Sequence, residues 1–162
     1  IELTIKRNNK TKNVNVSLQA FKEDPKKVGI GISLVDDKEI IVDPTVSVKT
    51  DEIGGPSAGL MFTLEIYDQL MDEDFTKGYK IAGTGTIDSK GAIGPIGGID
   101  QKIVAADKAG AEVFFAPNEK GSADSNYKLA LKTAEEIDSK MKIVPVDLVD
   151  DAINYLQKLP MK

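Results

Sequence analysis

The sequence predicts an α+β fold, with mixed sheets packed against helices, on three observations. The first half reads mainly as strand, the second half alternates strand with helix, and glycine and proline punctuate the joints. The chain has 162 residues, enough for a domain that buries roughly two thirds of the surface its unfolded form exposes.

Taken in order, residues 1–5 and 14–18 alternate apolar and polar, and the polar link Arg7-Asn8-Asn9-Lys10 between them completes a hairpin pattern. The polar run 22–27 is the expected domain boundary, dividing residues 1–22 from a second domain at 23–162. Residues 28–34 read as strand, Asp36-Asp37-Lys38 as a turn, 39–42 as a short run and 45–49 as a cleanly alternating strand. Gly54-Gly55-Pro56 then opens a helix expected over 57–71, with Leu60, Met61 and Leu64 at helical spacing. Residues 79–87 read as a buried strand and 88–95 as a tight hairpin. A helix over 99–109 should stop at Gly110, followed by a strand at 113–116, a helix at 127–137, a strand at 141–146 and a closing helix at 148–156.

Composition narrows the chemistry. Hydrophobic residues make up 41% and charged residues 29%, the balance of a globular protein, and the net charge of −5 provides no basic footprint for nucleic acid or anionic lipid. The apolar runs are too short to span a bilayer. With no cysteine, disulfides and thiol catalysis are excluded, and with no histidine so is a Ser-His-Asp triad. A general base working near neutral pH must then be a carboxylate, a lysine or a tyrosine. The chain opens within a strand-like run without methionine or leader, which reads as a piece cut from a longer protein.

Two segments carry candidate chemistry. In Gly54-Gly55-Pro56-Ser57-Ala58-Gly59, small residues surround one serine at a strand-to-helix junction. Glycine allows a sharp turn, and a helix N-terminus supplies free N–H donors suited to an oxyanion. The plain alternative is that Ser57 caps the helix. In Gly97-Gly98-Ile99-Asp100-Gln101-Lys102-Ile103-Val104-Ala105-Ala106, a helical wheel puts Ile99, Ile103, Ala106 and Gly110 on one stripe with Lys102 at its edge. Such a lysine usually extends its ammonium to water. Held in a desolvated pocket, such a lysine could instead serve as the base for a serine hydroxyl. The clusters Asp72-Glu73-Asp74 and Asp147, Asp150, Asp151 read as a solvated turn and a helix start; neither has metal-ligand spacing, and no metal or cofactor is expected.

These segments resemble the proteolytic domain of Lon peptidases. The resemblance rests on Gly55-Pro56-Ser57-Ala58-Gly59, Thr84-Gly85-Thr86-Ile87 and Gly94-Pro95-Ile96-Gly97-Gly98-Ile99-Asp100-Gln101-Lys102, and extends over about residues 28–157. It implies a Ser-Lys dyad of Ser57 and Lys102, with Gly55, Pro56 and Ala58 around the nucleophile and Thr84 as a hydroxyl neighbour of the lysine. Many members carry an acidic residue where this sequence has Gly54; Asp51 and Glu52 lie close by. The form Ile53-Gly54-Gly55-Pro56-Ser57-Ala58-Gly59-Leu60-Met61 is similar to membrane-anchored PDZ–Lon proteins of Gram-positive bacteria. That likeness implies an outward-facing peptidase held at the cell membrane by an N-terminal anchor, with residues 1–22 closing a PDZ domain. No Walker A pattern occurs, so this chain carries no recognisable ATPase, and any unfolding motor would be another domain or protein. The resemblance implies ATP-independent endopeptidase action on peptide or unfolded protein, by a homo-oligomer that the family makes hexameric. The alternative is a Lon-like module used for binding or assembly without catalysis. An extended substrate would pair with the strand at residues 46–50.

Overall fold

The computed structural model describes residues 1–21, 25–31, 46 and 55–162. The expected turn at 36–38, the run at 39–42, most of the strand expected at 45–49, and Gly54 lie outside the described residues. The chain divides into two compact units, Ile1–Thr45 and Val46–Lys162.

In the first unit, β1 (Glu2–Arg7) and β2 (Lys10–Asn15) pair antiparallel, Glu2 opposite Asn15 and Arg7 opposite Lys10. Asn8 and Asn9 both take positive φ, 52° and 57°, the two-residue turn whose twist matches that of the strands it joins. Two-residue strands β3 (Gln19–Ala20) and β4 (Val28–Gly29) form a second antiparallel pair.

The second unit is built on a parallel sheet. A single 3₁₀ turn, Pro56–Ala58, leads into α1 (Gly59–Gln69). Then come β5 (Ile81–Gly83), the antiparallel ribbon of β6 (Thr86–Ile87) and β7 (Ile93–Gly94), α2 (Ile99–Lys108), β8 (Val113–Pro117), α3 (Asn126–Glu136), β9 (Lys142–Val146) and α4 (Val149–Lys158). The sheet order is β5-β8-β9, all parallel, with Ile81 opposite Val113 and Val113 opposite Lys142. Side chains on a strand alternate between faces, and here each face has its own core. Val113, Phe115, Val144 and Val146 pack with Leu60 and Leu64 of α1 and Ala152 and Leu156 of α4. Phe114, Ala116 and Ile143 pack with Ile99, Ile103 and Ala106 of α2 and Ala130 and Ala134 of α3. The α+β reading therefore holds, with helices on both sides of a parallel sheet.

In the first unit only Val28–Gly29 of the strand expected at 28–34 is strand among the described residues. In the second unit two expected elements differ for identifiable reasons. The helix expected from residue 57 becomes α-helical only at Gly59, because the Ser57 carbonyl is bonded outside the helix by the Thr84 hydroxyl and the Gly85 N–H (both 2.9 Å). The strand expected over 79–87 is broken after Gly83: the Thr84 N–H makes a last bond to the Phe115 carbonyl, and Gly85, at φ 155°, turns the chain away. The helix expected to stop at Gly110 does so. The Ala111 and Gly110 N–H groups bond the carbonyls of Ala106 and Asp107, the paired bonds of a Schellman end.

Candidate active site

Ser57 and Lys102 belong to helical segments on opposite faces of the sheet. Ser57 sits in the 3₁₀ turn before α1, whose Leu60 and Leu64 join one core; Lys102 rides on α2, whose Ile99 and Ile103 join the other. Between them in sequence lies Thr84-Gly85, just beyond the C-terminal end of β5. Crevices at the carboxyl ends of parallel strands are where open α/β sheets bind ligands.

The local sequence sets the Ser57 turn. Gly55 precedes it at φ 82°, a conformation that favours glycine, and Pro56 follows with φ already suited to a helical start. The turn is fastened to the end of β5 by three bonds. Thr84 Oγ1 and the Gly85 N–H donate to the Ser57 carbonyl, and the Leu60 N–H donates to the Gly85 carbonyl (3.1 Å). Thr84 is 1% exposed, so its hydroxyl is committed in a dry setting. Close approach adds to the lock: a Cβ on Gly59 would stand 2.8 Å from Ile87 Cγ2 and 3.1 Å from the Ile87 nitrogen.

Ser57 does not cap a helix. The capping positions are Gly55 for the 3₁₀ turn and Ala58 for α1, and neither turn has a side-chain cap bond. Ser57 is half-buried, and among the described residues its hydroxyl makes no hydrogen bond. Its backbone is held and its oxygen is left open.

Lys102 is also half-buried, in the first turn of α2, with its N–H bonded to the Gly98 carbonyl (3.2 Å). Gly98, at φ 68°, starts the helix. The predicted stripe is present in Ile99, Ile103 and Ala106, all buried, whereas Gly110 falls beyond the helix and is exposed. Among the described residues no hydrogen bond joins Lys102 to Ser57, and the Thr84 hydroxyl donates to Ser57 rather than to the lysine. Gly55 and Pro56 are exposed beside the serine, and Ala58 is half-buried. Gly85, which the sequence offered only as part of a matching motif, is given a role here by its bond to the Ser57 carbonyl; the Gly83-Thr84-Gly85 spacing within an apparent strand was the available signal. Among the described residues no cluster of carboxylates is placed to hold a metal, and no helix is long and apolar enough to cross a membrane.

Residues 8–158 match the sequence model of the Lon protease (S16) C-terminal proteolytic domain. The chain belongs to this family. The Lon protease of Malacoplasma penetrans is 34% identical over 146 residues, covering 90% of this chain and 17% of that protein. The Lon protease of Campylobacter jejuni is 32% identical over 131 residues, 73% of this chain and 16% of that protein, and that of Mycoplasma mobile 29% over 141 residues, 87% and 16%. The chain thus spans less than a fifth of the length of these relatives. Membership of the Lon proteolytic family makes this a protease domain, and relatives named as proteases do not favour the non-catalytic binding module.

Proposed function

We propose that this Lon-type domain is an ATP-independent serine endopeptidase with Ser57 as nucleophile and Lys102 as general base. The observation that carries the reading is the state of Ser57: its carbonyl is doubly anchored to Thr84 and Gly85 while its hydroxyl is unspent. A nucleophile needs that combination, since a hydroxyl engaged in capping would have to break a bond before attacking.

Lys102, as a neutral amine, takes the Ser57 proton while Oγ attacks the scissile carbonyl carbon. The oxyanion forms beside the N-terminal turn of α1, in the region of Gly55, Pro56 and Ala58, where helix-start N–H groups favour negative charge. Collapse breaks the C–N bond, Lys102 returns the proton to the leaving amine, and an ester remains on Ser57. Water attacks the ester, its proton passes to Lys102, and Ser57 regains a hydrogen as the acid product leaves. Thr84 spends its donor on Ser57, so its oxygen has only lone pairs to present to the lysine, an arrangement that suits holding an amine.

The substrate in this reading is peptide or unfolded protein, bound extended. The protein is a homo-oligomer, hexameric as the resemblance implies, of the outward-facing, membrane-anchored PDZ–Lon branch of Gram-positive bacteria, and residues 1–22 close the preceding PDZ domain. Support for that branch is the sequence around Ser57.

Casein cleavage without ATP tests the chemistry. Wild type should cleave, and Ser57→Ala and Lys102→Ala should each lose activity by about a thousandfold or more, as removal of one member of a catalytic unit does. Cleavage that survives both substitutions, or an inactive wild type, refutes the reading.

A further inference from the structure

Between β7 and α2 the chain runs through Pro95, Ile96, Gly97 and Gly98. Two glycines here leave the backbone free to turn, and Gly98 sits in the left-handed region. Among the described residues, the only hydrogen bonds made by residues 95–97 are those of Ile96, and both go to one side chain. The Ile96 N–H donates to Asn126 Oδ1 (2.8 Å), and Asn126 Nδ2 donates to the Ile96 carbonyl (3.0 Å). A primary amide offers donor and acceptor side by side, so Asn126 grips this residue as a neighbouring strand would.

Asn126 is itself held. It is the first residue of α3, its N–H donates to Glu119 Oε2 (2.6 Å), and the preceding Ser125 is fully buried. Glu119 and the adjacent Lys120 both take positive φ, 52° and 56°, a conformation that costs roughly 1–2 kcal/mol for a residue with a side chain. Asp147 braces this loop, accepting from the Lys120 N–H (2.7 Å) and from Asn118 Nδ2 (2.8 Å). A strained loop, braced by a carboxylate, thus ends in an amide that fixes the segment leading to Lys102. Strain of this kind persists where surroundings over-determine it and gathers at functional sites.

We propose that Asn126 is a positioning residue for Lys102, acting through Ile96 and the first turn of α2; the inference rests on the reading of Lys102 as general base. The body of α2 is fixed by Ile99, Ile103 and Ala106 in its core. Ile96 packs only at the margin of that core, and the amide clamp sets the backbone path of residues 95–98, from which the first turn departs and onto whose last carbonyl the Lys102 N–H is bonded. Loss of the amide clamp lets that turn drift while the core stays closed. A drift of about 1 Å at a reacting group costs on the order of a hundredfold in rate.

The test is steady-state cleavage of an unfolded-protein substrate by the protein at its natural length, with thermal melting measured alongside. Asn126→Ala should lower kcat about 10- to 100-fold, with KM within about twofold and a melting temperature only a few degrees lower. Asn126→Asp keeps an acceptor for the Ile96 N–H but cannot donate to the Ile96 carbonyl, and should fall between. A kcat for Asn126→Ala within about threefold of wild type, or a loss that appears equally in KM, overturns the proposal. Should Asn126→Ala fail to fold, Asn126→Asp decides by the same split. Lys102→Ala, run in parallel, separates the two readings: full activity there removes the dyad itself. Its loss beside an unaffected Asn126→Ala removes only the role of Asn126.

Discussion

Thr84 offers the sharpest test of how the nucleophile is held, because its hydroxyl and its methyl group can be removed separately. Thr84→Val deletes the 2.9 Å bond to the Ser57 carbonyl at a site that is 1% exposed. The carbonyl keeps the Gly85 N–H and is not orphaned, so the cost in stability should be that of one net hydrogen bond, about 1 kcal/mol. Thr84→Ser keeps the bond and deletes a buried methyl group, which also costs about 1 kcal/mol. For a chain of this length each should lower the melting temperature by about 2–4 °C. The two variants are thus matched in stability and differ in the tether. If the hydroxyl fixes Ser57, Thr84→Val should lose about tenfold or more in kcat, while Thr84→Ser stays within about threefold of wild type. The assay is peptide cleavage at a temperature where melting curves show all three proteins folded. Equal losses in both variants, or full activity in Thr84→Val, would refute the reasoning and leave Thr84 a packing residue.

Other expectations follow from the same geometry. Gly59→Ala should destabilise by about 1–3 kcal/mol despite alanine's better helix propensity, because its Cβ meets the Ile87 backbone at 3.1 Å; an increase in denaturant midpoint would contradict this. Asp138 occupies the left-handed position after α3 (φ 53°), where the Asp138 and Ser139 N–H groups close a Schellman end. Asp138→Gly should therefore stabilise by about 0.5–1 kcal/mol, read from urea unfolding. In acid, three carboxyls with lowered pKa contribute. Asp88 is held below its ordinary 3.8 by the N–H groups of Ala92 and Lys90, Asp74 by the Thr76 hydroxyl and nearby N–H groups, and Glu112 below 4.5 by Lys162. A lowered folded pKa gives stability that is present above the unfolded value and lost as pH falls through the folded one. Asp88→Asn should flatten the fall in stability below about pH 4; curves parallel to wild type would refute the assignment.

Much of the second unit was legible because its periodicities are strong. The strands at 113–117 and 142–146 and helices α2, α3 and α4 lie within about two residues of expectation, since each helix sets an apolar face against one core and each strand is apolar on both faces. The break at Thr84-Gly85 was hidden because Tyr79 to Ile87 has the composition of one buried strand, and the bend is fixed by bonds to a segment some 27 residues earlier. The choice between Ser57 as cap and Ser57 as open hydroxyl could not be made from neighbours in sequence. It depends on the same distant donors, which take its carbonyl out of the helix ladder. Asn126 gave no signal at all: after Ser125, an asparagine reads as an ordinary start to a helix.

The division of the two candidate reactive residues between the faces of the sheet bears on how a cell tolerates such an enzyme while making it. Ser57 lies by the face that α1 and α4 cover, Lys102 by the face that α2 and α3 cover, and both cores include β8, which follows both residues in the chain. A chain with only one face closed would hold only one of the two candidate residues in position. In the proposed dyad, hydrolytic power would therefore arrive last, with completed folding, and a copy still folding would not cut its unfinished neighbours.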